Sequence, residues 1–242
     1  MDRIGFRKTA YARDLARLWK ITSAPRTELS RRQLVTTALA LAASILIGER
    51  FSGAAEPDVR FDFSRPIEGW ETVSGKWSSE EVPGALQGGR ALVQRATDNA
   101  FNVIVAPSGP YTNVDVAVRF KPISGREDAS GGIVFRFSEG HYYVIRANAL
   151  EDNFNFYYYE PDSILAAVLG ARHYVTGVNV QAPALGQWHK LRIRAEGDRI
   201  QGWLNDQHLI DYHDGRFASG RIGLWTKADS VTAFDDLVIR AL

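Results

Sequence analysis

The sequence predicts an all-β fold, a two-sheet antiparallel jelly-roll sandwich over residues 58–242, preceded by one amphipathic and one apolar helix. From about Glu56 onward, short runs alternate apolar and polar residues and are rich in Val, Ile, Phe, Tyr and Trp. Gly, Pro, Asn and Asp separate these runs, as turns separate the strands of sandwiches and jelly rolls. After residue 56 the sequence shows no periodicity of a long helix.

The first predicted element is an amphipathic helix in a basic segment, residues 1–32. Within residues 3–20, apolar side chains recur at helical spacing among basic ones, and Trp19 and Tyr11 suit a helix lying on a membrane surface. We expect membrane contact through residues 3–50.

The second predicted element is an apolar helix over residues 33–50, followed by a linker, residues 51–57. Its uncharged run from Gln33 to Gly48 would be about 24 Å long as a helix, which is shorter than a comfortable bilayer span. A retained signal anchor and a removed signal therefore both stay open. Arg31 and Arg32 precede the run as a twin-arginine type of targeting pair. Its membrane-facing residues are predicted to be Leu34, Leu39, Leu41, Ile45, Leu46 and Ile47.

Charge divides the chain into two parts. Residues 1–33 carry nine basic and three acidic side chains, while the remainder carries 20 basic and 25 acidic ones. A basic head on an acidic body predicts the bacterial cell envelope, with a periplasmic β-domain and, if the anchor is retained, a cytoplasmic N-terminus. The body has no basic stripe for nucleic acid, and the lack of cysteine excludes disulfides and thiol chemistry.

Strand predictions follow the alternating runs through the body. Turn residues favour hairpins at Glu139-Gly140, Glu196-Gly197-Asp198 and Asn205-Asp206. The predicted strands are residues 59–63, 91–95, 101–106, 114–121, 132–138, 142–148, 154–160, 173–180, 189–196, 199–205, 208–214, 221–226 and 234–240.

Three consecutive strands suggest a binding face. Alternation places Ile133, Phe135 and Phe137 towards a core, and the opposite parity gathers aromatic, Arg and Asn side chains on the other face. Such a mixture suits sugars, because rings stack on their apolar faces and polar groups bond their hydroxyls. A face covered by a loop or a partner is the alternative. The candidate ligand-binding residues are Arg136, Tyr142, Arg146, Asn148, Asn155, Tyr157 and Tyr159, with Trp225, which is out of phase with its apolar neighbours and expected to be exposed.

Three segments carry a resemblance to a known family: residues 142–153 (YYVIRANALEDN), 187–191 (QWHKL) and 220–237 (GRIGLWTKADSVTAFDDL). They resemble the laminin-G-like, concanavalin A-like jelly rolls of exported bacterial proteins, which are grouped with the 3-keto-disaccharide hydrolase-type domain. The resemblance implies a two-sheet jelly roll with a concave face. Hydrolase-type relatives carry a Gly-Asn-Ser-Gly-like stretch where residues 129–133 read ASGGI here, so no catalytic residue is carried over.

The acidic residues give no catalytic pair in the sequence. Glu80-Glu81, Glu151-Asp152 and Asp235-Asp236 are neighbours, and neighbours on a strand point to opposite faces. We expect no cofactor other than a structural calcium ion, for which Asp62 and Asp236 are the candidate ligands.

These observations predict a membrane-tethered, extracytoplasmic, non-catalytic module for recognition or scaffolding, with a glycan or protein partner. One alternative is an accessory subunit of an integral membrane complex. The other is an enzyme, a glycoside or 3-keto-glycoside hydrolase. No nucleic-acid partner is expected.

Overall fold

The computed structural model describes residues 58–163, 166 and 170–242, in which fifteen strands form two antiparallel sheets. The strands are β1 (Val59–Phe61), β2 (Glu71–Ser74), β3 (Trp77–Glu81), β4 (Arg90–Gln94), β5 (Phe101–Val105), β6 (Val114–Ser124), β7 (Ser130–Ser138), β8 (His141–Asn148), β9 (Glu151–Tyr159), β10 (Arg172–Asn179), β11 (His189–Glu196), β12 (Arg199–Leu204), β13 (Gln207–His213), β14 (Arg221–Lys227) and β15 (Val231–Ala241). The predicted two-sheet antiparallel β-sandwich is therefore confirmed.

Two sheets define the architecture. The front sheet has the strand order β10-β9-β8-β7-β14-β5-β2, and the back sheet has the order β13-β12-β11-β6-β15-β4-β3, with β1 paired to β15. The predicted turns at Glu139-Gly140, Gly197 and Asn205-Asp206 connect β7–β8, β11–β12 and β12–β13, and positive φ angles occur in each.

The main core lies between the sheets and is built by alternation along both of them. Val116 and Phe120 of β6 and Ile193 of β11 face Ile145 of β8 and Phe156 of β9, and all are essentially inaccessible to solvent. The alternation of apolar and polar residues predicts these strands, and its apolar members fill the core.

Two edge strands, β2 and β3, were not predicted. Each ends its sheet and has mainly exposed or half-buried side chains. One face of such a strand is not pressed against a core, so the apolar alternation that identifies inner strands is absent.

A bulge near the end of β7 overturns part of the predicted core face. Arg136 has a positive φ of 54°, and the pairings of β7 with β8 and β14 both shift at this point. Phe137 therefore turns to the outer face of the front sheet, while Arg136 turns inward. A β-bulge reverses the parity of every later side chain in its strand.

The predicted N-terminal segments, residues 1–32, 33–50 and 51–57, lie outside the described residues, as do Arg31, Arg32 and the apolar residues of the run. Within the described residues, no helix has the length and apolar character needed to cross a bilayer.

Candidate functional site

The outer face of the front sheet carries the candidate site at one end of its strands. Strand β9 places every second residue from Glu151 to Tyr159 on this face, and β8 places Arg146 beside them. We call the following six residues the polar cluster: Arg146, Glu151, Asn153, Asn155, Tyr157 and Lys227.

Arg146 is the centre of this cluster. Its guanidinium donates to Asn153 Oδ1 at 2.7 Å, to Glu151 Oε2 at 2.8 Å and to the Tyr157 hydroxyl at 3.3 Å. Asn155 Nδ2 donates to both Asn153 Oδ1 and the Tyr157 hydroxyl, each at 3.0 Å. The side chain of Arg146 is 4% exposed and that of Glu151 is 39% exposed. A buried cation thus fixes a carboxylate that solvent and ligands can reach.

Two glycines leave room for the cluster. A Cβ at Gly132 would lie 3.0 Å from the Cβ of Arg146, and one at Gly177 would collide with the side-chain amide of Asn155. Gly132 and Gly177 are the strand partners of Arg146 and Asn155. The absent side chains let both polar groups lie flat on the sheet.

Opposing effects set the charge of Glu151. Burial raises the pKa of its carboxyl, but hydrogen bonds from Arg146 and Asn153, with the charges of Arg146 and Lys227, lower it more. The pKa is therefore below its ordinary value, and the carboxylate is ionised at neutral pH.

Lys227 belongs to the cluster because its charge acts on Glu151, and it is itself held by a buried acid. Its ammonium lies 3.3 Å from Asp128 Oδ2, and the Asp128 side chain is fully buried while that of Lys227 is 25% exposed. Asp128 also accepts a hydrogen bond from the Ser230 hydroxyl at 3.1 Å. Lys227 can contact a ligand, and Asp128 beneath it cannot.

An apolar cluster that includes Val103, Val144 and Trp225 occupies the middle of the same face, and the sheet curves around it. The guanidinium carbon of Arg172 in β10 lies 5.1 Å from the ring centroid of Phe101 in β5. These strands are five positions apart, about 24 Å in a flat sheet whose neighbouring strands lie about 4.8 Å apart. The front sheet is therefore strongly curved, and its outer face is a concave trough.

This curvature corrects the predictions for the aromatic residues. Trp225 is completely buried and stacks on Phe101 at 5.7 Å, so its predicted exposure is wrong. Tyr142 stacks on Tyr159 at 4.9 Å and is 3% exposed, and burial raises the pKa of its hydroxyl. Tyr157 is 8% exposed. These two stacked pairs join neighbouring strands, whereas Phe101 of β5 and Tyr159 of β9 meet across the trough at 5.8 Å.

Arg136 does not share this face, and that part of the predicted site is wrong. Its guanidinium donates to the carbonyl oxygens of Phe217 at 2.7 Å, Thr112 at 3.2 Å and Gly197, which lies in a turn of the back sheet. The bulge in β7 directs it between the sheets, where it is 1% exposed. Its role there is to bind loop carbonyls at one end of the sandwich.

Asn148 lies at the end of β8 and is fully buried. Its side-chain oxygen accepts hydrogen bonds from the backbone amides of Ala129 at 3.1 Å and Leu150 at 3.0 Å. It therefore holds the loops beside the polar cluster and does not face a ligand.

Glu151, Asn153 and Lys227 were missed as site residues, although the sequence contains the signal. Glu151 and Asn153 have the same parity as Asn155 and Tyr157, but the predicted strand begins at residue 154. Lys227 has the parity of Trp225 and lies one residue beyond the predicted end of its strand.

Among the described residues, Glu71 is the second carboxylate that strand pairing places on this face, and it does not lie beside Glu151. Glu71 forms an ion pair with Arg221. The strand pairings place Glu71 at the same height along the sheet as Gly223 of β14. They place Glu151 at the height of Lys227, at the other end of that strand. The four residue steps from Gly223 to Lys227 span about 13 Å of strand. The two carboxylates of a glycosidase lie about 5–10 Å apart. Glu71 and Glu151 do not meet this requirement.

The residues proposed for calcium have other partners. Asp62 accepts hydrogen bonds from the amide and hydroxyl of Ser64 at 3.0 and 2.8 Å, and Asp236 lies 3.2 Å from Arg60. In the described part of the chain, no group of three or more His, Cys, Asp or Glu side chains is arranged to hold a metal ion. The calcium site stays a prediction.

Comparisons with known proteins identify a domain family and a curated relative. Residues 60–240 match the family model described as a 3-keto-alpha-glucoside-1,2-lyase-like domain. A curated relative, levanase from Bacillus subtilis, is 27% identical over 164 residues, which are 67% of this chain and 21% of the relative. The chain thus spans about a fifth of that protein.

Two solved structures show the same fold. The carbohydrate-binding module CBM66 from Bacillus subtilis is 22% identical with a TM-score of 0.59, over 72% of this chain and 96% of that chain. The beta-glucanase of Bacillus licheniformis is 14% identical with a TM-score of 0.51, over 76% and 98%. At these identities the likeness establishes the jelly-roll-like fold alone.

The family match confirms the resemblance to 3-keto-disaccharide hydrolase-type domains and corrects the predicted function. A membrane-tethered, non-catalytic module for recognition or scaffolding is not what this family and its carbohydrate-active neighbours favour. The family model describes a lyase-like domain.

Proposed function

The chain belongs to the 3-keto-alpha-glucoside-1,2-lyase-like domain family, and on that premise we propose that it cleaves 3-keto-glycosides by elimination at the polar cluster. A 1,2-lyase acting on such a substrate removes the proton at C2 and breaks the bond between C1 and the glycosidic oxygen. The ketone at C3 makes the C2 proton acidic, since the resulting carbanion is an enolate. The reaction therefore requires one base and positive charge near the C3 oxygen.

The observation that carries this proposal is an accessible carboxylate, Glu151, held by cations. Glu151 is ionised and partly exposed, and Arg146 and Lys227 lie beside it. Two-carboxylate hydrolysis needs a second acid across the scissile bond, and Glu71 is too far along the sheet to supply it. The geometry suits proton abstraction beside a carbonyl better than glycoside hydrolysis.

Each step can be assigned to a group of this chain. Glu151 takes the C2 proton, and the electrons of the C–H bond move towards the C3 oxygen, where the charge of Lys227 stabilises the enolate. The enolate then forms the C1=C2 double bond and expels the glycosidic oxygen from C1. That oxygen takes the proton from the Glu151 carboxyl, which restores the base.

Neighbouring polar groups would bind the sugar. Asn153 presents an amide next to the base, and such a group pairs well with sugar hydroxyls, while the buried Asn155 holds its oxygen in place. Arg146 is a positioning residue, because its buried guanidinium holds Glu151 and Asn153 in place. The carbohydrate-binding module among the structural neighbours supports a glycan partner.

The test compares one sugar with and without the ketone. The full chain is incubated with methyl 3-keto-α-D-glucoside and with methyl α-D-glucoside, and products are identified by NMR. We expect methanol and an unsaturated keto sugar from the first and no reaction of the second. Release of glucose from the second would identify a glycosidase instead, and binding without turnover of either sugar would contradict a catalytic role.

A further inference from the structure

The trough holds one cation whose charge is not balanced. Among the described residues of this face, Arg172 has no carboxylate within 4 Å, whereas the other cations form ion pairs. These pairs are Arg146 with Glu151, Lys227 with Asp128, and Arg221 with Glu71. An unbalanced cation in a partly desolvated site favours an anionic ligand.

The side chain of Arg172 is fixed between two aromatic rings. Its guanidinium carbon lies 4.6 Å from the ring centroid of Tyr157 and 5.1 Å from that of Phe101. Its Nη1 is buried and meets no hydrogen-bond acceptor in the described residues. A buried donor without an acceptor is costly, so a shift of this side chain that brings the donor to a ligand's acceptor would be favoured.

A groove lies next to two neighbours of Arg172, although Arg172 itself is not among the residues that line it. Phe101, which Arg172 contacts, and Tyr159, its strand partner, line a groove of about 380 Å³ together with Tyr142 and Pro161. This volume is within the range of small-molecule sites, roughly 300–1,000 Å³. Tyr157 connects the two ends of the trough, because its ring contacts Arg172 and its hydroxyl accepts a hydrogen bond from Arg146.

We propose that Arg172 recognises an anionic group, a carboxylate or a sulfate, on the saccharide that binds in the trough. A guanidinium fits either group with paired hydrogen bonds, which a neutral hydroxyl cannot match. The proposal rests on the proposed function in one respect, that the ligand is a saccharide. It adds that this saccharide is acidic.

The test uses three methyl glycosides that cannot undergo the elimination. Binding of methyl α-D-glucuronide, methyl α-D-glucoside 6-sulfate and methyl α-D-glucoside to the full chain is measured by calorimetry. We expect the glucuronide or the sulfate to bind at least tenfold more tightly than the neutral sugar, and the stronger of the two identifies the anion. Arg172→Gln should reduce this preference to less than twofold, and Arg172→Lys should keep part of it.

Arg221→Gln is the matched control. Arg221 also lies over an aromatic ring of this face, 5.6 Å from the centroid of Phe137, but it has a carboxylate partner. Its replacement should leave the preference unchanged. Equal affinity for charged and neutral sugars, an unchanged preference in Arg172→Gln, or no binding of any of the three sugars would overturn the proposal. A preference for the charged sugar without turnover of the keto sugar would support it and refute the elimination.

Discussion

Replacing Glu151 with Gln tests the proposed base most sharply. The substitution keeps the shape of the side chain and one oxygen that can accept from Arg146, which also retains its bonds to Asn153 and Tyr157. Because the Glu151 side chain is 39% exposed, we expect a loss of only about 1 kcal/mol in the free energy of unfolding. Loss of a general base typically costs about 100- to 10,000-fold in rate. The expected result is a folded protein whose kcat/KM on the keto sugar falls by at least about 100-fold.

Glu71→Gln is the matched control for this experiment. Glu71 is on the same face and is also paired with an arginine, Arg221, but it lies at the other end of the trough. Its replacement should change kcat/KM less than twofold, as measured by continuous detection of the unsaturated product. Turnover by Glu151→Gln at the wild-type rate, or an equal loss in both variants, would refute the assignment of Glu151.

Three further predictions follow from the same contacts. Because hydrogen bonds and neighbouring cations hold the pKa of Glu151 below its ordinary value of 4.5, kcat/KM should fall with decreasing pH only below pH 4.5; a midpoint near 6 would contradict this. Trp225→Ala should lower the free energy of unfolding in urea by about 3–5 kcal/mol, since the ring is completely buried, and a loss below about 1 kcal/mol would show that the trough is open. Arg136→Met should lower the free energy of unfolding by about 3 kcal/mol in the same assay, because three carbonyl oxygens lose their hydrogen-bond donor. An unchanged free energy of unfolding would show that the guanidinium lies in solvent.

The inner strands could be predicted because burial on one side imposes alternation. Val116 and Phe120 of β6 or Ile193 of β11 follow this rule without interruption. The edge strands β2 and β3 do not, since half of their surroundings is solvent. Their existence depends on pairing with β5 and β4, which local sequence does not encode.

The site could be predicted in part from parity alone. Arg146, Asn155 and Tyr157 meet on one face as alternation predicts. Glu151 and Asn153 extend the same alternation by two steps, so an earlier strand start would have included the base. The error was in the boundary of the strand and not in the rule.

Two features of the site follow from geometry that periodicity does not contain. Alternation assigns a side chain to a face but says nothing of how strongly the sheet curves, so the burial of Trp225 and the contact of Phe101 with Arg172 were not predictable. The bulge at Arg136 depends on pairings with both neighbouring strands, and it alone reverses the faces of Arg136 and Phe137.

Breakage of the C–H bond at C2 beside the ketone is the step that distinguishes the proposed elimination from hydrolysis. The direct measurement is the isotope effect on kcat/KM with methyl 3-keto-α-D-glucoside carrying deuterium at C2. Elimination with Glu151 as the base predicts slower cleavage of the deuterated sugar and deuterium lost from the carbohydrate product. Cleavage at an unchanged rate with deuterium retained at C2 would contradict the account.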